Sequence, residues 1–200
     1  MYIDPAFAAR MQVDAAAAQP FRQLVDAAGR TTDTAGVHHL RRIAYTLAQA
    51  PQLWRPLAHH DPHRRWYAHL MHTMTFEVWL IGWDVGQDTD LHDHGGSSGA
   101  VAVCDGTLDE QHTVLGRGGS LRTRTHARST VLEFGSTYVH NLGNTGPATA
   151  TSVHVYAPPL HCMNFYEHTD AGLRPLRSVP VAGPDPGVVR PVAVAAGLAS

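Results

Sequence analysis

The spacing of apolar residues changes part-way along the chain. Phe21, Leu24, Val25 and Ala28 recur at helical spacing and stop at Gly29, which predicts an amphipathic helix ended by glycine. A second stripe, Val37, Leu40, Ala44 and Leu47, predicts another helix, capped by Thr32 or Asp33 and closed by Pro51. Pro51 to Arg65 is rich in Pro, His and Arg and reads as a connection with a short helix. Beyond it, short runs of aromatic and branched residues predict strands. They run from Thr75 to Trp83, Ala100 to Cys104, Thr107 to Glu110, Leu121 to His126, Thr130 to Phe134, Thr137 to Leu142 and Ala150 to Tyr156. Asp105-Gly106 is a hairpin turn signal, and Gly116, Gly118-Gly119, Gly135, Gly143-Asn144 and Gly146-Pro147 separate other strands.

Many short strands with regular turns argue for a barrel or sandwich. The expected organisation is one mainly β domain. Residues 1–66 form a helical segment packed on it, residues 67–170 the barrel, and residues 171–200 an extended Pro/Gly/Ala-rich tail. Pro158-Pro159 ends the Ala150–Tyr156 strand, since proline cannot donate to a ladder. From Val179 onward the tail carries almost no charge, and it either lies on the domain or is partly disordered. There is no internal repeat.

Composition narrows the function classes. The 200 residues are 44% hydrophobic and 16% charged, with formal net charge -2. A near-neutral balance gives no electrostatic reason to expect nucleic acid or a membrane surface as partner. No apolar run is long enough to span a bilayer, and the N-terminus lacks a signal-peptide core. The two cysteines, Cys104 and Cys162, do not make a disulfide scaffold, so a cytoplasmic protein is expected, either a monomer or a weak homo-oligomer. Cys104 is expected in the core, and Cys162 either borders a pocket or is a buried free thiol.

Fifteen histidines stand out. Abundance alone does not make a metal site. His38, His39, His59, His60, His63 and His72 are expected to face solvent, and His112, His126, His161 and His168 to lie on the surface or rim. The sharper signal is Gly86-x5-His92-Asp93-His94. Histidines two apart on a strand share a face, so the pair makes half a metal site. His140-Asn141-Leu142-Gly143-Asn144 supplies a third imidazole from another strand.

This arrangement resembles the two motifs of the cupin superfamily, and so implies a cupin jelly-roll β-barrel. Where the general cupin pattern has a glutamate ligand, Gly99 stands here. That departure resembles the thiol dioxygenases of the cysteine dioxygenase type, which use a three-histidine iron site. Ser152-Val153-His154-Val155-Tyr156-Ala157-Pro158-Pro159 is similar to their last core strand, and Trp83 fits their tryptophan before the histidine pair. The resemblance covers roughly Trp66 to Phe165. It implies one Fe(II) per chain on His92, His94 and His140, with a small thiol and dioxygen as substrates and a sulfinic acid as product. It also implies that Tyr156 donates a hydrogen bond at the site, that His154 orients Tyr156, and that Ser152 fixes the tautomer of His154.

Two departures carry consequences. Gly99 also stands where some members crosslink a cysteine to the tyrosine, so no crosslink is expected. The family's Y-x-R carboxylate clamp aligns with Tyr67-Ala68-His69, so Tyr67 and His69 become the substrate-binding candidates. Either the thiol is not cysteine, or another arginine reaches in; Arg64 and Arg65 are near in sequence. Two other readings stay open: a cupin isomerase or hydrolase using zinc, manganese or nickel, and a non-catalytic cupin that binds a small ligand.

Overall fold

The structure is a computed structural model and describes residues 1–29, 36–116 and 120–181. It opens with a two-residue strand, β1 (Tyr2–Ile3), and three helices, α1 (Pro5–Val13), α2 (Ala15–Gly29) and α3 (Val37–Ala48). A single turn, α4 (Pro51–Trp54), and a 3-10 turn (Arg55–Leu57) make up the short helix expected in the connection. The strands are β2 (Trp66–His72), β3 (Glu77–Trp83), β4 (His92–Asp93), β5 (Ser98–Asp105), β6 (Thr107–Val114) and β7 (Arg122–Ala127). They continue as β8 (Val131–Phe134), β9 (Tyr138–Gly143), β10 (Ala150–Ala157), β11 (Cys162–Thr169) and β12 (Gly172–Pro180).

Local chemistry explains the helix ends. The Asp4 side chain accepts from the Phe7 amide at 2.9 Å, and Pro5 follows where a helix needs no amide hydrogen, so α1 starts there. Gly36 caps α3 without a side-chain bond, whereas Thr32 and Asp33 lie outside the described residues. Pro51 ends the stripe of α3 and also begins α4.

Two six-stranded antiparallel sheets face each other in a cupin jelly roll. One runs β1-β2-β3-β10-β5-β8 and the other β12-β11-β4-β9-β6-β7. The first sheet is covered on both faces. Its outer face carries Leu80, Ala100, Ala102, Val153 and Val155, which pack under Phe21, Leu40, Ile43, Leu47 and Trp54. Its inner face turns Val101, Val103, Leu132, Phe134 and Tyr156 toward Leu108 and Leu142 of the other sheet. Along β10 the strict two-residue period therefore sends Val153 and Val155 to the helices and Ser152, His154 and Tyr156 into the cavity.

The tail differs in part from expectation. Gly172–Pro180 pairs with β11 as an outer strand, and its exposed run includes Arg174, Pro175 and Arg177. An edge strand tolerates proline and charge because one row of its backbone groups faces no partner. Residues 182–200 lie outside the described residues. No described helix is long and apolar enough to cross a membrane.

Candidate metal centre and active site

His92 sits on β4 directly opposite His140 of β9, with ring centroids 4.9 Å apart. The strand stops at Asp93, so His94 arrives by a different route from the strand alternation expected of an H-x-H pair. It leads into a turn through Gly95 and Gly96, whose φ angles are 60° and 94°. Asp93 holds that turn: its carboxylate accepts from the Gly95 amide, Asn164 Nδ2 and the Tyr166 hydroxyl, at 2.8, 2.8 and 2.6 Å. The His94 ring then lies 4.9 Å from His92 and 5.0 Å from His140. One nitrogen from each of the three rings falls within 4.8 Å of the others, and all three residues are buried.

The donor set fits a metal. His92 Nδ1 meets the Asp90 carbonyl at 2.9 Å and His140 Nδ1 meets Glu110 Oε1 at 2.9 Å, which leaves each Nε2 free to ligate. Neither ring nitrogen of His94 has a partner, although both are buried. Such an orphaned imidazole is costly unless a ligand takes its lone pair. Burial first, and neighbouring histidines next, hold His92 and His94 well below the usual histidine range. They are therefore neutral, the form that binds metal.

Glu110 is a site residue that the sequence reading missed. Burial raises its pKa, but hydrogen bonds from His126 and His140 outweigh that and leave it well below the usual carboxylate range. His126 Nε2 lies 2.9 Å from Oε2, and the Tyr138 hydroxyl donates to Oε1 at 3.0 Å. His126 and His112, expected at the surface or rim, are both 6% exposed. The signal was the alternation Leu108, Glu110, His112, which places all three on the inward face of β6. His161 and His168 are exposed, as expected.

Gly99 explains why the cluster has no carboxylate. A Cβ there would meet Phe134 Cζ at 2.6 Å and Tyr156 Cδ1 at 2.9 Å. Those rings occupy the space that a glutamate or cysteine would need.

Beside the cluster runs a chain of hydrogen bonds. Trp83 Nε1 can only donate, and it donates to Ser152 Oγ at 2.8 Å. Ser152 Oγ is then free to donate to His154 Nε2, at 2.8 Å. His154 Nδ1 in turn lies 2.9 Å from the Tyr156 oxygen. Burial, then the charges of His140 and Arg65, keep His154 well below the usual histidine range. Burial, then Glu77, pushes the Tyr156 phenol above its usual value, so it stays a donor. The Tyr156 ring lies 5.0 Å from His94. Trp83 thus starts the chain. Asn144, the last residue of the second motif, instead ties loops together through the Trp83 and Ala148 carbonyls.

The chain's sequence matches the cysteine dioxygenase type I family over residues 8–169, more than half its length. The chain belongs to the cysteine dioxygenase type I family. The match begins in α1, so it includes the N-terminal helices as well as the barrel. No curated protein matches the chain. Similar solved structures include a Thermus thermophilus protein at 18% identity, which covers 52% of this chain and 93% of its own with TM-score 0.45. Another is a cupin superfamily protein from Desulfitobacterium hafniense at 10% identity, covering 52% and 86% with TM-score 0.43.

The two substrate-binding candidates, Tyr67 and His69, both pack on Trp79. Tyr67 packs edge-on against Trp79, with centroids 5.5 Å apart. His69 stacks on Trp79 at 3.8 Å, and its Nε2 lies 3.0 Å from the Glu77 carboxylate. An anionic substrate would meet Glu77 there. Arg65, directly before β2, shares the inward face with Tyr67 by alternation. Its guanidinium lies 5.1 Å from the Trp83 ring and donates to the Asp88 carbonyl. Burial lowers its pKa against the opposing charges of Asp88 and Asp90, and its own charge acts on Tyr67, Tyr156, His92 and His154. Cys104 is a core thiol pushed up to about 12 by burial, whereas Cys162 is partly buried with its sulfur against Gly95.

Proposed function

We propose that this protein is an iron(II)-dependent dioxygenase that converts a small carboxylate-bearing thiol, cysteine or a related mercapto-carboxylate, to its sulfinic acid. The observation that carries this reading is the hydrogen-bond chain from Trp83 to Tyr156, which ends beside three buried histidines. A bare metal site for isomerisation or hydrolysis has no use for such a chain.

His92, His94 and His140 would hold the iron, which when bound supplies a place where thiol sulfur and dioxygen meet. Three imidazole ligands add no negative charge of their own, which favours binding of an anionic thiolate. Tyr156 presents its hydroxyl hydrogen to an acceptor in the cavity, either the substrate or oxygen. Phe134, stacked 4.7 Å from His94, walls the cavity and excludes water.

Arg65 takes the place in this reading that His69 held in the sequence. Among the described residues no carboxylate forms an ion pair with it. The charges of Asp88 and Asp90 act on it only from beyond ion-pair distance, so a guanidinium held over the Trp83 ring and on the Asp88 carbonyl can still take a substrate carboxylate.

The test is oxygen consumption by iron-loaded protein on cysteine, 3-mercaptopropionate and cysteamine, which lacks a carboxylate. The carboxylate thiols should turn over best. Arg65→Gln should lower kcat/KM for them about 10- to 150-fold, the worth of a charged hydrogen bond, and leave cysteamine little changed. Equal losses on all three would remove Arg65 from substrate recognition. No oxygen use with any thiol would remove the reading itself.

A further inference from the structure

A second group of metal-binding side chains lies at the end of the β2–β3 hairpin, built from residues outside the three-histidine cluster. In a regular strand, residues three apart point to opposite faces. His69 and His72 would therefore diverge, but the register of β2 against β3 shifts between His69 and Met71. The extra residue turns both rings to the same side, where each meets Glu77. Bulges re-aim side chains in this way and are enriched near functional sites.

The geometry there is that of ligands around a shared point. His69 Nε2 lies 3.0 Å from Glu77 Oε2, and His72 Nδ1 lies 3.3 Å from the same oxygen. Donor atoms on a tetrahedral zinc with bonds near 2.0 Å stand about 3.3 Å apart. The His69 side chain is 9% exposed and neither of its nitrogens makes a hydrogen bond of acceptable geometry, despite the short approach to the carboxylate. Glu77 is 2% exposed on its side chain, and its other oxygen is already taken by the Leu160 amide at 2.8 Å. Among the described residues its ion pairs are with His69 and His72 alone, so no arginine offsets its charge. A buried carboxylate in that position calls for a cation. His72, 31% exposed on its side chain, leaves one side open for entry and for a water as fourth ligand.

We propose that His69, His72 and Glu77 form a second metal site that takes a divalent cation such as zinc. Two imidazoles and one carboxylate with an open position suit that ion. Neither this set nor its test depends on whether the three-histidine cluster binds iron.

The experiment is equilibrium dialysis of the metal-stripped full chain against Zn(II), repeated with Co(II) so that visible absorption reports ligand geometry. Four proteins are compared: wild type, His72→Ala, Glu77→Gln and His140→Ala. The proposal expects one ion per chain to be lost, or bound at least about tenfold more weakly, in both His72→Ala and Glu77→Gln but retained in His140→Ala. Unchanged stoichiometry and affinity in His72→Ala would overturn it, as would loss of every ion in His140→Ala. His72 is partly exposed, so its variant remains informative even if Glu77→Gln does not fold.

Discussion

Glu110 and Tyr156 illustrate two ways a residue serves one centre. Glu110 bonds His140 and is itself clamped by His126 and Tyr138. Tyr156 lies beside the histidine cluster at the end of the chain from Trp83. The two roles separate experimentally. Glu110→Gln should weaken metal retention about 10- to 100-fold, as loss of a partner to a metal-bound histidine does elsewhere. Tyr156→Phe should keep full metal content while turnover falls by a similar factor. Metal analysis beside the turnover rate checks both, and loss of metal in Tyr156→Phe would contradict the division of labour. Gly99 belongs to the same account, because its missing side chain is what lets Phe134 and Tyr156 close on His94.

The elements that position these residues are held from outside. Helix α3 lays Leu40, Ile43 and Leu47, all fully buried, across the outer faces of β5 and β10. Each such side chain contributes about 1.5–3 kcal/mol of burial. Ile43→Ala should therefore destabilise the fold by about 2–5 kcal/mol in denaturant unfolding, while the metal-loaded variant keeps its substrate preference. A cost below about 1 kcal/mol would mean that the helix is not anchored as described. The strands beneath α3 were legible because Val153 and Val155 alternate with Ser152, His154 and Tyr156. Strand β12 was not, because its prolines and arginines read as a tail until an edge position makes them tolerable. Arg65 escaped for a related reason. As one of two adjacent arginines before an unmarked strand it had no face, until β2 was seen to start at Trp66 and carry Tyr67 inward. His112 and His126 looked superficial because β6 was read as ending at Glu110, whereas it runs to Val114. The β2 bulge has no sequence signal of its own, and it decides where His72 points.

At the scale of the whole molecule, neutral groups buried between the sheets link stability to pH. His92, His94 and His154 all titrate well below the usual histidine value in the fold, chiefly because of burial. The unfolded chain binds protons at these residues below about pH 6.5, and the folded chain does not. Stability of the metal-free protein should therefore be intact above about pH 6.5 and fall below it, by up to about 1.4 kcal/mol per pH unit for each histidine. Glu110, lowered in the fold, adds a further loss below about pH 4.3. Thermal unfolding of metal-free protein across this range checks the sign, and a flat profile would mean that these histidines are not held neutral. Three imidazoles with a buried tyrosine beside them, set between the two sheets, are what the dioxygenase reading asks of the fold. The most direct test of that reading is turnover of a carboxylate thiol by iron-loaded protein under oxygen-18 gas, with the product weighed by mass spectrometry. A sulfinate carrying heavy oxygen at both positions is the predicted result. Disulfide alone, or a sulfinate with oxygen drawn from water, would contradict it.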